Sequence, residues 1–282
     1  MPIFKAWWPA QLRQGDKSAS SIMKFKEQPL KQDWTQELPK YYFDNSPLKT
    51  HFLNALSITF PHGERFFIDS VKNYKDRIDD AEQQQAISTF VKQENWHRYA
   101  HQQYNLWLTN HGLPAEHLEE LALKKIEYIK SKISKRGQLA STVSLEHITA
   151  IFAEHLLTHP ELLASMHPHF KQLWTWHAIE EIEHKNVAMD TINSIGGGKL
   201  RLSMILTTMN FVWDISRNLI VLLKADKQLY KWRTLTDACS LLFNTKNGFI
   251  TKLFMPWLQF MRKDFHPNQQ DNTHLLLQYS KV

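Results

Sequence analysis

Cysteine is almost missing: Cys239 is the single thiol among 282 residues. One thiol forms no internal disulfide and builds no Cys-rich zinc or iron–sulfur site. A reducing cytoplasm is the expected compartment. Glycine is scarce too, at eight residues, and neither G-x-G-x-x-G nor G-x-x-x-x-G-K-[ST] occurs. A Gly-rich, phosphate-cradling architecture is therefore not expected. Long uninterrupted apolar runs are lacking. The most apolar stretch, Leu200 to Leu223, is broken by Asp214, Arg217 and Asn218. Central charges are costly in a spanning helix, so a buried or surface-docked helix is expected there, with peripheral membrane contact left open. The opening residues Met1-Pro2-Ile3-Phe4-Lys5-Ala6-Trp7-Trp8 lack the charged-then-apolar order of a signal peptide.

What the chain has is aromatic bulk and imidazole. Aromatic residues make up 12%, ten of them tryptophan, and there are fifteen histidines, a large supply of metal ligands. Hydrophobic residues at 43% and charged residues at 22% are ordinary for a globular protein. The length suits one large domain, or a compact domain with appended helices. Net charge is +6. The densest basic run, Lys124, Lys125, Lys130, Lys132, Lys135 and Arg136, is interleaved with apolar residues and reads as the wet face of a helix. No nucleic-acid motif accompanies it, so no nucleic-acid partner is expected. A homodimer is left open.

Helical periodicity runs through the body, and strand signals are nearly absent. Residues 1–47 hold scattered Pro, Lys and Gln and are expected to form an irregular arm. Residues 48–265 are expected to form one helical domain, and 266–282 an irregular tail. Phe52, Leu56, Phe60, Glu64, Phe67 and Val71 recur at spacings of three and four. Pro61 and Gly63 predict a break just before Glu64. Further helices are expected over about 80–110, 114–135, 141–158, 168–193, 200–224, 227–245 and 249–262. Gly112 and Gly196-Gly197-Gly198 act as stops, and Pro114 and Pro168 as starts.

Two of these helices carry Glu-x-x-His: Glu94-Asn95-Trp96-His97 and Glu181-Ile182-Glu183-His184. Residues three apart share a helix face, so each pair can grip one metal. Alone the motif is weak. Two further acids change that. Glu64 and Glu146 precede Glu94 and Glu181 by 30 and 35 residues, and both sit among apolar helical neighbours. An inward-pointing carboxylate needs a metal or a cationic partner. Two antiparallel helix pairs would bring Glu64, Glu94, His97, Glu146, Glu181 and His184 to one depth. That is the donor set of ferritin-like di-iron and di-manganese bundles. The expected fold is thus all-α, a ferritin-like four-helix bundle with additional C-terminal helices. His177 shares the face of Glu181 and His184 and is a seventh candidate ligand. His101 falls one turn beyond His97, as an orienting residue or a general acid or base. Glu180 competes with Glu181 or serves as acid or base. Glu154 is a weaker substitute for Glu146.

The stretches Leu56-Ser57-Ile58-Thr59-Phe60-Pro61-His62-Gly63-Glu64-Arg65-Phe66-Phe67, Gln93-Glu94-Asn95-Trp96-His97, Leu145-Glu146-His147-Ile148-Thr149-Ala150, Trp176-His177-Ala178-Ile179-Glu180-Glu181-Ile182-Glu183-His184-Lys185 and Phe265-His266-Pro267 resemble a bacterial family named, by prediction, metal-dependent hydrolases, of the ferritin-like superfamily. The pattern His177-x-x-x-Glu181-x-x-His184 is also similar to that of di-iron arylamine N-oxygenases, where the extra histidine binds iron. The resemblance implies a dinuclear centre, with two irons favoured over manganese or zinc. It implies an O₂-activating oxidase or oxygenase that draws on an external electron donor and acts on a small, apolar organic substrate. The alternatives are a hydrolase using a metal-bound hydroxide and a non-catalytic metal-binding protein.

Overall fold

The computed structural model describes residues 29–279, so residues 1–28 of the expected arm and the last three of the tail lie outside it. Four helices build the body: α1 (Pro47–Lys72), α2 (Ala81–Asn110), α4 (Lys135–Thr158) and α6 (Pro168–His184). Between them lie α3 (Ala115–Lys132) and the short α5 (Pro160–Ala164). Then come α7 (Val187–Ser194), α8 (Leu200–Ala225), α9 (Trp232–Phe243), α10 (Phe249–Gln259) and α11 (Thr273–Tyr279). Among the described residues the sole β-type pairing is the isolated bridge Phe43–Met166. The fold is an all-α helical bundle. Pair α1–α2 packs beside pair α4–α6, and α8 lies across α1 and α4.

Helix starts follow local chemistry. Ser46, Asp80 and Ser134 each accept a bond from a backbone N–H three residues on, which satisfies a donor that the first turn leaves free. The break expected before Glu64 does not occur, and α1 runs unbroken through Pro61. A proline there has no N–H for the Ser57 carbonyl. Asn105 Nδ2 on α2 donates to that carbonyl instead, at 3.0 Å. Helix α4 starts at Lys135 rather than near residue 141, because the Ser134 cap outweighs Gly137 just inside it. The helix expected over 168–193 is two helices. They part at Lys185–Asn186, where Lys185 Nζ is drawn to the Gln270 carbonyl and the Asn272 side chain. The tail is not wholly irregular, since residues 273–279 are helical.

Two large apolar clusters and a small third one of Leu48, Leu223 and Leu241 make up the core. Leu53, Ile58, Tyr104, Leu157, Phe170 and Leu173 belong to one apolar cluster, and Phe67, Ile87, Phe90, Val143, Ala188 and Ile192 to another. Helices α1, α2 and α4 each pass from one cluster to the other, while the apolar residues of α6 lie in the first and α7 continues into the second. At the crossing the inward positions are glutamate and histidine, so a polar layer cuts through the bundle. None of the described helices is long and apolar enough to cross a membrane.

Candidate metal centre

The crossing layer draws Glu64 from α1, Glu94, His97 and His101 from α2, Glu146 from α4, and His177, Glu180, Glu181 and His184 from α6. None of these nine exceeds 4% exposure. Their donor atoms fall into two groups able to hold a metal ion. One is Glu94, His97, Glu181 and His184; the other is Glu64, His101 and His177. Within each group the ligand atoms lie within 4.8 Å of one another. Glu146 is in neither group, but its Oε2 sits 3.1 Å from His184 Nδ1. Glu64 joins His101 and His177 rather than Glu94 and His97. Glu154, the weaker substitute for Glu146, is in neither group and half-exposed.

Many of these donors have nothing to bind. Both oxygens of Glu64 and of Glu94, both ring nitrogens of His97, Oε1 of Glu146, Oε2 of Glu181 and Nε2 of His184 are buried without a hydrogen-bond partner. Proximity does not repair this. His97 Nε2 lies 3.0 Å from Glu180 Oε2, and His184 Nε2 lies 3.2 Å from Glu94 Oε1, yet none of the four atoms makes an aligned hydrogen bond. Buried carboxylates left this way are costly, and a cation removes the cost.

The electrostatics agree. Burial, then the Glu181 and Glu146 charges, push Glu64 well above the usual carboxylate range. Burial and the charge of Glu146 do the same to Glu94. Burial raises Glu146 to about 7 and Glu180 to about 8. At Glu181 burial acts upward as well, but the His177 hydrogen bond and the His184 charge outweigh it and hold the group low. Burial, then His177, keeps His97 and His101 well below the usual imidazole range. These rings are neutral and have lone pairs to give. At His184 burial is overcome by Glu146, which lifts the ring to about 9. The protein supplies negative charge and lone pairs in excess, and a divalent cation is what that set lacks. Mixed carboxylate and imidazole donors fit iron, manganese or zinc.

A hydrogen-bonded chain fixes the outer side of His177. Asn105 Nδ2 donates to the Ser57 carbonyl at 3.0 Å and to Glu119 Oε1 at 2.8 Å, so Asn105 Oδ1 is the acceptor for the Ser57 hydroxyl at 2.7 Å. With its proton committed, Ser57 Oγ must accept from His101 Nδ1–H, 2.9 Å away. His101 Nε2 then accepts from His177 Nδ1–H at 2.8 Å. His177 Nε2 is left facing Glu181 Oε1 at 3.0 Å. A lone pair meeting a carboxylate oxygen at that distance needs a proton or a metal ion between them. With both nitrogens engaged in this chain, His101 has no lone pair left for a metal and instead positions His177, which leaves Glu64 and His177 as the second group's ligands.

Two cavities approach the layer. One of about 890 Å³ reaches Glu64 and is walled by Phe60, Phe67, Leu206 and Phe211. One of about 210 Å³ reaches His177 and Glu181 past Trp174 and Phe152. Phe60, Thr149 and Phe211 line both. The two residues expected as general acid or base, His101 and Glu180, line neither cavity. Sequence reasoning missed Ser57, Asn105 and Thr149. Asn105 was within reach of it, since 94, 97, 101 and 105 continue one helix face.

No curated protein and no solved structure matches the chain. The model of one family, described as "Predicted metal-dependent hydrolase", matches residues 26–271. A buried layer of unpartnered carboxylate and imidazole donors is what a metal-dependent activity requires, and the chain belongs to that family.

Proposed function

We propose that this protein is a dinuclear-metal hydrolase acting on a small, largely apolar substrate. The observation that carries the proposal is the set of unpartnered buried donors, one of which, Glu64, lines an apolar cavity. Glu64, Glu94, His97, Glu146, Glu181 and His184 would hold two metal ions, with His177 as a seventh ligand, in a bundle of ferritin-like type. Bound divalent cations polarise a carbonyl or phosphoryl oxygen and acidify water. The rest is the work of the chain. Phe60, Phe67 and Phe211 bind the apolar part of the substrate and keep bulk water away from Glu64. The Asn105–Ser57–His101 chain holds the proton of His177 at Nδ1 and presents Nε2 inward.

A second reading is an O₂-dependent di-iron oxidase or oxygenase supplied by an external electron donor. It is favoured by the donor set itself, with two Glu-x-x-His pairs, two further glutamates and a third inner histidine. One comparison separates the two readings. Protein from iron-, manganese- and zinc-supplemented cultures is tested against ester and phosphate-ester probes with and without air. The hydrolase cleaves a probe equally well without O₂. The oxidase leaves the probes intact, and after reduction it consumes O₂ with a transient visible band. A protein that holds two metals and does neither contradicts both readings.

A further inference from the structure

Exposed apolar side chains are concentrated in one region. Sixteen of the twenty-one large ones among the described residues fall within residues 199–264. On α8, Leu202, Leu206, Met209, Trp213 and Ile220 follow helical spacing and form one outward stripe. At 1.5 Å per residue the stripe is about 27 Å long. Met209 is 65% and Trp213 67% exposed. Helix α10 lies beside it, because Trp257 Nε1 donates to Thr208 Oγ1 at 2.8 Å, and it adds Phe254 and Met255 to the exposed surface.

Charge is concentrated in the same region. Residues 199–264 hold eleven Lys and Arg against four Asp and no Glu, a net of +7. The whole chain carries +6, so the remaining residues sum to −1. All four aspartates are already paired: Asp214 with Lys125, Asp226 with Lys40, Asp237 with Arg233 and Asp264 with Arg262. Lys199 precedes the stripe, Lys224 and Lys227 follow it, and Lys252 stands on α10; all four are exposed.

We propose that this face docks on an anionic lipid bilayer, with α8 lying in the headgroup plane. Apolar residues at helical spacing, basic residues at both ends and half-wet tryptophans are the composition of an interfacial helix. Charge argues against a second copy as the occupant. A two-fold interface meets itself, so two +7 segments would face one another. An anionic membrane attracts the same charge. The face also holds the mouth of the larger cavity, since Leu202 and Leu206 are exposed and line it. A bilayer here would deliver an apolar-chain amphiphile towards Glu64. That delivery rests on the proposed activity; the docking does not.

The test is co-sedimentation of the full chain with phosphatidylcholine vesicles, with and without phosphatidylglycerol, at low and high salt. Binding is expected to the anionic vesicles, weakened by salt, and equal for metal-loaded and chelated protein. The double variant Met209→Glu/Trp213→Glu should bind roughly tenfold more weakly or worse, with unchanged circular dichroism and metal content. Absence of binding to anionic vesicles, or equal binding by the variant, overturns the proposal. So does a homodimer that the double variant splits while neither protein binds vesicles, which would assign the face to a second copy. Neither readout uses activity, so failure of docking is distinct from failure of the hydrolase reading.

Discussion

Asn105 is a small side chain with several duties. Its amide satisfies the carbonyl that Pro61 leaves free, holds Glu119, and orients Ser57. Replacing it by alanine leaves buried polar groups unpaired, at about 1–3 kcal/mol. Asn105→Ala should therefore lower the denaturant midpoint clearly, and an unchanged midpoint would contradict the network. Ser57→Ala acts differently. It removes the acceptor for His101 Nδ1–H, so the His177 tautomer is no longer fixed. Loss of such an outer partner typically costs 10–100-fold in metal affinity. Metal titration of Ser57→Ala should show a fall of about that size with the helical signal retained. Wild-type affinity would mean that His177 binds no metal. The inward-facing donors were legible in the sequence, Glu94, His97, Glu181 and His184 from the two Glu-x-x-His motifs and Glu64 and Glu146 from their apolar neighbours at helical spacing. The hydrogen-bonded chain behind them was not, because Ser57 and His101 meet only across two helices.

At the scale of elements, the kink anticipated at Pro61 is missing because its compensation comes from another helix. Local rules describe what proline removes, and tertiary structure decides what replaces it. The break at Lys185 has the same character. No Gly or Pro marks it, and the partners that draw Lys185 away stand at residues 270 and 272. The start of α4 at Lys135 is readable from the Ser134 cap, which Gly137 in the first turn does not undo. These cases yield a coupling prediction. In Pro61→Ala the regained N–H can serve the Ser57 carbonyl, so Asn105→Ala should cost less in that background than in the wild type. The double-mutant cycle, read by denaturant unfolding, should give a coupling between about 0.5 and 3 kcal/mol. Strict additivity would show that Asn105 does not replace the missing helix bond.

For the whole molecule, acid sensitivity has a defined sign. Burial, then His159, holds His155 at about 4, against an ordinary 6.5. Burial also lowers His51, with Asp226 opposing. Between about 4 and 6.5, His155 binds more proton in the unfolded state than in the folded one. The stability tied to neutral His155 is therefore complete above about pH 6.5 and lost as pH falls towards 4, by at most about 1.4 kcal/mol per unit. Glu64 and Glu94, raised by burial, act with the opposite sign in metal-free protein. The informative quantity is thus the difference between wild type and His155→Gln. The variant should lose less stability than the wild type between pH 7 and pH 5, as measured by denaturant midpoints. An equal loss would mean that His155 is not the titrating group.

The polar layer itself is the largest departure of this molecule from an ordinary helical core. It interrupts two apolar clusters with acids most of whose oxygens have no hydrogen-bond partner. Metal content per chain tests that reading most directly, measured by plasma mass spectrometry on wild type, Glu94→Ala and His184→Ala. Two metal ions per wild-type chain are expected, with a clear loss in both variants and an intact helical spectrum. A wild type that holds no metal, or two ions kept by both variants, would contradict the assignment of the layer as a metal centre.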